Sequence, residues 1–144
     1  MWRRPAIHIS KFDRHKGSGY AEIYCIRNAA SLLRGNSMVT FREAEIGDAE
    51  SLALLHANSW RQTYRGMMRD EFLDGDVVSN WLEVWRDRLS SERDDQCVLL
   101  AANGTQLVGF VCAFGNEDSK WGSYIDNLHV SHEHKRTGIG TLLM

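Results

Sequence analysis

The sequence predicts an α/β domain, a mixed sheet flanked by helices, and three observations carry that expectation. Runs of strand character and runs of helical period follow one another in the order strand, helix, helix, three strands, helix. Asn103-Gly104 stands between two apolar runs, the pattern of a hairpin. The final stretch, Tyr124 to Met144, reads as a strand that enters a glycine-containing turn and then a helix start.

Length and composition bound the answer first. The chain has 144 residues, about one domain's worth, and 43% hydrophobic with 25% charged is ordinary globular composition. No apolar run is long enough to span a bilayer, so no membrane role is expected. The three cysteines, Cys25, Cys97 and Cys112, are widely spaced and form no C-x-x-C pair, which argues against zinc or redox chemistry and suggests reduced thiols in a cytoplasmic protein.

The formal net charge of −2 hides a split along the chain. Residues 1–37 carry seven Lys and Arg against Asp13 and Glu22. A basic arm for nucleic acid, an organelle presequence and a poorly ordered extension all fit that stretch. The third is the reading adopted, because scattered charges are more often a solvated tail than a binding patch. The domain is then expected over 38–144, with no nucleic-acid partner.

From Val39 to Glu43, Val39 and Phe41 alternate with Thr40 and Arg42, as in a half-buried strand. Asp48 stands at an N-cap position ahead of Leu52, Leu55, Trp60 and Tyr64 at helical spacing, so a helix is expected from Ala49 to about Tyr64. After Asp74-Gly75-Asp76 a second helix carries Val77, Val78, Trp81, Leu82, Trp85 and Leu89 on one face. Aromatic residues at that spacing are read as packing, not as a ligand platform. Gln96 to Ala102 and Gln106 to Phe114 then form a hairpin, whose Asn103-Gly104 turn is expected as type I′ with positive φ at both residues. Leu107 to Phe114 lacks alternation, which predicts a central strand covered on both faces.

The chemistry is concentrated after Tyr124. Thr137-Gly138-Ile139-Gly140-Thr141 opens a helix, and Lys135 and Arg136 precede it. Glycines let the backbone approach a ligand closely, and the unpaired N–H groups of a first helical turn, at the positive end of the dipole, favour a phosphate or pyrophosphate. Two familiar phosphate motifs fail here. A dinucleotide fingerprint would need Gly or Ala where Leu143 stands, and a Walker loop would need a lysine after Gly140.

Lys135-Arg136-Thr137-Gly138-Ile139-Gly140 resembles the coenzyme A signature of the GNAT superfamily of N-acetyltransferases, Gln/Arg-x-x-Gly-x-Gly/Ala. Leu128-His129-Val130, in register before it, resembles the aliphatic-x-Val end of the preceding strand in that family. Ser59-Trp60-Arg61 and Tyr64-Arg65-Gly66 resemble a run found there between the first two helices. The resemblance spans Met38 to Met144. It also implies a fifth strand, a fourth helix and a further hairpin, none of which has a counterpart before Met144.

What the resemblance implies is acetyl-CoA as co-substrate and transfer of its acetyl group to a primary amine. Leu128, His129, Val130, Lys135, Arg136, Thr137, Gly138, Ile139, Gly140 and Thr141 would bind the coenzyme, with a main-chain N–H near a bulge in the 124–130 strand holding the thioester carbonyl. Tyr64, Arg65 and Met67 would lie near the acceptor. Tyr124 matches the family's strand glutamate, but a phenol is a poor base at neutral pH. Asp126, on the same face of an ideal strand, is the other candidate, acting through a water.

His129, His132 and His134 raise a metal reading, since His-x-His places two imidazoles on one side of an extended chain. A zinc site needs a third ligand in fixed geometry, and His129 lies across a turn, so no metal is expected. Two functions remain: an acyl-CoA-dependent N-acetyltransferase, with a homodimer among its allowed states, or a non-catalytic truncated fragment that keeps part of the coenzyme-binding fold.

Overall fold

The computed structural model describes residues 31–34, 37–91, 93, 95–118 and 122–144. Apart from 31–34 and 37, the basic extension expected over 1–37 lies outside the described residues. Among the described residues the strands are β1 (Ser31–Arg34), β2 (Ser37–Glu43), β3 (Gln96–Asn103), β4 (Gln106–Asp118) and β5 (Gly122–Val130). They form one sheet in sequence order, with every pairing antiparallel. Between β2 and β3 run helices α1 (Ala49–Tyr64), α2 (Asp70–Asp74) and α3 (Val77–Ser90), and α4 (Ile139–Leu143) follows β5. The α/β architecture expected from the order of elements is present.

Helices α1 and α3 cover one face of the sheet. Leu52, Ala53 and Leu55 of α1 and Trp85 of α3 pack on Val98, Leu100, Phe110, Cys112 and Phe114. On the opposite face Ile139 and Leu143 of α4 join Val39, Phe41, Leu99, Ala101, Val108 and Val111. Alternate residues of β4 thus feed two cores, which is why its sequence shows no polar alternation. Each large side chain removed from water contributes about 1.5–3 kcal/mol, so both faces add to stability in proportion to the helix that covers them.

Three local features differ from expectation. Asp48 does precede α1, but its carboxylate makes no cap to the helix amides. It turns back to accept a hydrogen bond from the Glu45 N–H at 2.8 Å and a two-pronged pair from Arg42 at 2.7 and 2.6 Å. At the hairpin, Gly104 has φ 61° and Asn103 pairs with Gln106 as the last rung of the ladder. Positive φ at the first loop residue alone is the pattern of a type II′ turn, and it corrects the type I′ expectation. Cys112 is free and buried, whereas Cys97 is disulfide-bonded, a departure from the reduced thiols expected.

Candidate active site

Strand β5 positions the site. It bulges at Asp126, because Asn127 pairs with Cys112 and Ile125 with Ala113, leaving Asp126 without a rung. A bulge re-aims the strand and frees main-chain groups from the ladder. The Asp126 carboxylate receives Nη1 of Arg88 at 2.7 Å and also contacts the Asn127 amide. Arg88 is itself held over the rings of Trp85 and Phe114, at 5.3 and 5.5 Å. Tyr124 stacks on Phe114, with centroids 5.7 Å apart, so it shares the face that Asp126 presents to α3.

Beyond β5 the chain turns through side-chain and main-chain bonds. The Ser131 N–H donates to the Val108 carbonyl at 2.8 Å, Ser131 Oγ meets His134 Nδ1 at 2.8 Å, and Thr137 Oγ1 donates to the His134 carbonyl at 2.6 Å. Arg136 has φ 63° and Gly138 φ 91°. Those two left-handed residues bring the chain into α4, whose first amides have no partner within the helix. Lys135 and Arg136 are exposed at the rim. Gly140 is less constrained, since a Cβ there would meet Val130 Cγ2 at an ordinary 3.8 Å. Leu128 and Val130 pack with Ile139 and Leu143, so the strand end and the turn form one continuous region.

His129 faces the other way, toward α1. Its Nδ1 lies 2.8 Å from Ser59 Oγ, and its ring is 4.4 Å from that of His56. His56 is 1% exposed and its Nδ1 has no hydrogen-bond partner. It stacks on Trp81 at 3.5 Å and meets Trp85 and Phe110 edge-on or tilted. Burial, with His129 and Arg88 nearby, pushes its pKa down to about 3. Burial and the charge of Lys135 lower His129 as well. Both imidazoles are therefore neutral at neutral pH.

At the end of α1, Tyr64 packs edge-on against Trp60 at 5.1 Å. Arg65 turns to its own loop, pairing with Asp70 at 2.9 Å and Asp74 at 2.6 Å. Met67 is 73% exposed. Among the described residues no group of three or more His, Cys, Asp or Glu is arranged to hold a metal ion. His132 and His134 lie in the turn that follows β5, where His134 Nδ1 meets Ser131 Oγ.

Sequence reasoning missed His56, Ser59 and Arg88. A signal existed for two of them. His56 falls one turn after Leu52 and one before Trp60, and Arg88 falls one turn after Trp85, so each places a polar group on an apolar stripe. A polar residue on such a stripe asks for a partner across the core.

Comparison with known proteins bears on the family and the fold. Residues 57–144 match the model of the acetyltransferase (GNAT) family. A Bacillus subtilis (strain 168) protein described as the uncharacterized N-acetyltransferase YuaI is 27% identical over 110 residues, covering 74% of this chain and 61% of that relative. A PaiA N-acetyltransferase from Thermoplasma acidophilum, solved in complex with coenzyme A, superposes with TM-score 0.60 at 22% identity, over 73% of this chain and 66% of that one. A possible acetyltransferase from Clostridium difficile 630 does so with TM-score 0.55 at 20% identity, over 73% and 65%. The two structures speak to the fold. The chain thus spans 61% to 66% of the length of these relatives, and with more than half of its residues matching the family model, it belongs to the acetyltransferase (GNAT) family.

Proposed function

We propose that the chain binds acetyl-CoA and takes part in moving its acetyl group to a primary amine. The observation that carries this reading is the turn between β5 and α4, where left-handed Arg136 and Gly138 lead the chain into the helix and Lys135 and Arg136 are exposed beside them. Amides from Arg136 to Thr141 hold the coenzyme's diphosphate with the side chain of Lys135, whose main-chain N–H donates to the His132 carbonyl at 3.3 Å, and the edge of Leu128 to Val130 lies along its pantetheine arm. The bulge at Asp126 offers a ladder-free N–H to the thioester carbonyl, where negative charge develops as the amine attacks. Tyr64, packed on Trp60, and Met67 border the acceptor, and Arg65, tied to Asp70 and Asp74, shapes that loop. The protein acts in the cytoplasm, without metal or nucleic acid, alone or as a homodimer.

The alternative is a non-catalytic fragment that retains part of the coenzyme-binding fold. It is favoured by the pairing of the Asp126 carboxylate with Arg88 at 2.7 Å, which engages one of the two candidate bases on β5. Calorimetry with coenzyme A tests the binding step. Release of free thiol from acetyl-CoA with ethylamine, putrescine, tyramine, glucosamine and an alanyl peptide tests transfer. Uptake at a hundred times Kd raises stability by about 2.7 kcal/mol, visible as a rise in Tm. No uptake by the protein, or uptake unaltered in Gly138→Val, would sink the reading.

A further inference from the structure

The acetyltransfer reading leaves one chemical need unmet. An amine acceptor arrives as an ammonium ion and must lose a proton before it attacks, so a base has to be within reach. Asp126 is engaged by Arg88, and Tyr124 is a phenol. His129 stands three residues past the bulge, partly buried, on the face of β5 that α1 covers.

We propose that the imidazole of His129 is the proton acceptor for the incoming amine, and that Ser59 is the positioning residue that fixes its tautomer; the proposal rests on the acetyltransfer reading. Ser59 Oγ, 2.8 Å from Nδ1, takes the Nδ1–H, which leaves the lone pair on Nε2 free. His56, its ring 4.4 Å away and buried, acts as a fixed neutral neighbour: its seat among Trp81, Trp85 and Phe110 disfavours a charge there, so a proton taken up by the pair resides on His129.

The step balances as follows. Nε2 of His129, three residues along β5 from the bulge, takes one proton from the ammonium through water. The freed nitrogen pair attacks the thioester carbonyl carbon, the C–N bond forms, and the C–S bond breaks with its pair left on sulfur. The second proton shed by nitrogen goes through water to that sulfur, and the imidazolium returns its own to solvent. An amide, a free thiol and one proton result.

The charge that acts on His129 is Lys135, past the end of β5, and its titratable neighbour is the neutral His56 of α1; Arg88 of α3, paired with Asp126, acts on His56. Lys135 and burial together hold the free-protein imidazole low. A diphosphate seated on the turn offsets the Lys135 charge and so brings His129 upward, toward the pH at which it must work. Coenzyme binding thereby prepares the base.

Long-range proton–nitrogen NMR of the whole chain, with and without coenzyme A, gives the deciding measurement. The expected result is an Nδ1–H tautomer at His129 whose titration moves to higher pH when coenzyme A is added, and a switch toward Nε2–H in Ser59→Ala. His129→Gln is expected to lower kcat about 100-fold with the fastest amine of the panel, and to remove the acid limb of the pH–rate profile. KM for acetyl-CoA should stay within about twofold, whereas a merely structural role would move KM and leave the pH profile intact. An Nε2–H tautomer in the native protein, or an unchanged rate in His129→Gln, would overturn the assignment while coenzyme uptake still stood. Absence of uptake by the unaltered protein would defeat the acetyltransfer reading itself.

Discussion

The two faces of the sheet are built by different means. On one, helices of 16 and 14 residues bury a continuous wall of Leu52, Trp85, Phe110 and His56. On the other, among the described residues, a five-residue helix rests on the sheet and a turn is set by two left-handed residues. Strand β5 serves both, presenting His129 to the thick side and Leu128 and Val130 to the thin one. The lesson is a division of labour. Side-chain chemistry sits where packing fixes rotamers, and main-chain chemistry sits where a few dihedrals decide which way amides point.

The largest way to break this contrast is to hollow the thick face. Trp85 is fully buried and meets Phe110 at 5.1 Å. Trp85→Ala should cost about 3–5 kcal/mol through lost burial and the cavity left behind. Urea unfolding followed by fluorescence or circular dichroism reads this directly. A loss below about 1 kcal/mol would mean that the wall is not what holds the fold.

A second test uses pH. His56 is neutral in the folded protein down to about pH 3, while an unfolded histidine protonates near the ordinary 6.5. Between those values the unfolded chain binds the extra proton, so stability is full above the upper value and declines as pH falls through the window. The slope from this one group is at most about 1.4 kcal/mol per pH unit. His56→Phe keeps a ring against Trp81 and removes the titration. The gap between the variant and the native protein should therefore change steadily from pH 6.5 to pH 4, and a constant gap would show that His56 does not titrate against burial.

On the thin face the expected effect is smaller and of another kind. Gly138 sits at φ 91°, where a side chain costs about 1–2 kcal/mol. In Gly138→Val that strain is relieved by local opening of the turn, so the urea midpoint moves little. Coenzyme A affinity, which needs the turn closed, falls about tenfold for each 1.4 kcal/mol. Equal losses in stability and affinity would erase the contrast between the faces.

How much of this could be read beforehand follows the same division. The bounds of α1, the central place of β4 and the strand–turn–helix of 124–144 were legible because each rests on local periodicity or local turn chemistry. The type II′ hairpin was misread, since Asn103-Gly104 satisfies either turn until the ladder register is known. The backward reach of Asp48 to Arg42 was hidden for a similar reason, as two good local uses competed for one carboxylate. The Arg88–Asp126 and Ser59–His129 pairs join residues far apart in the chain, and no short-range pattern specifies such a meeting. Asp126 was singled out as a candidate base because strand alternation puts it on the face of Tyr124, the position that matches the family's glutamate. The guanidinium that occupies it comes from another element.

The smallest expected effect tests how closely the thin face is fitted. Gly109 of β4 pairs with Val130, and α4 lies directly over it. A Cβ at Gly109 would stand 3.1 Å from the His129 carbonyl oxygen, 3.2 Å from Ile139 Cγ2 and 3.3 Å from Leu143 Cδ1. The carbonyl belongs to a paired strand and cannot yield much, so α4 has to lift by a few tenths of an ångström. Gly109→Ala should then cost about 1 kcal/mol, at the low end of overpacking, and should weaken coenzyme A binding severalfold as the turn moves with its helix. Trimming Leu143 to Val removes the Cδ1 that makes one of these contacts. In a double-mutant cycle Gly109→Ala with Leu143→Val should recover part of the lost affinity, which independent sites would not do. Recovery of affinity with no change in the His129 tautomer would show that the two sides of β5 are adjusted separately; a tautomer that shifts with α4 would show them coupled through the strand.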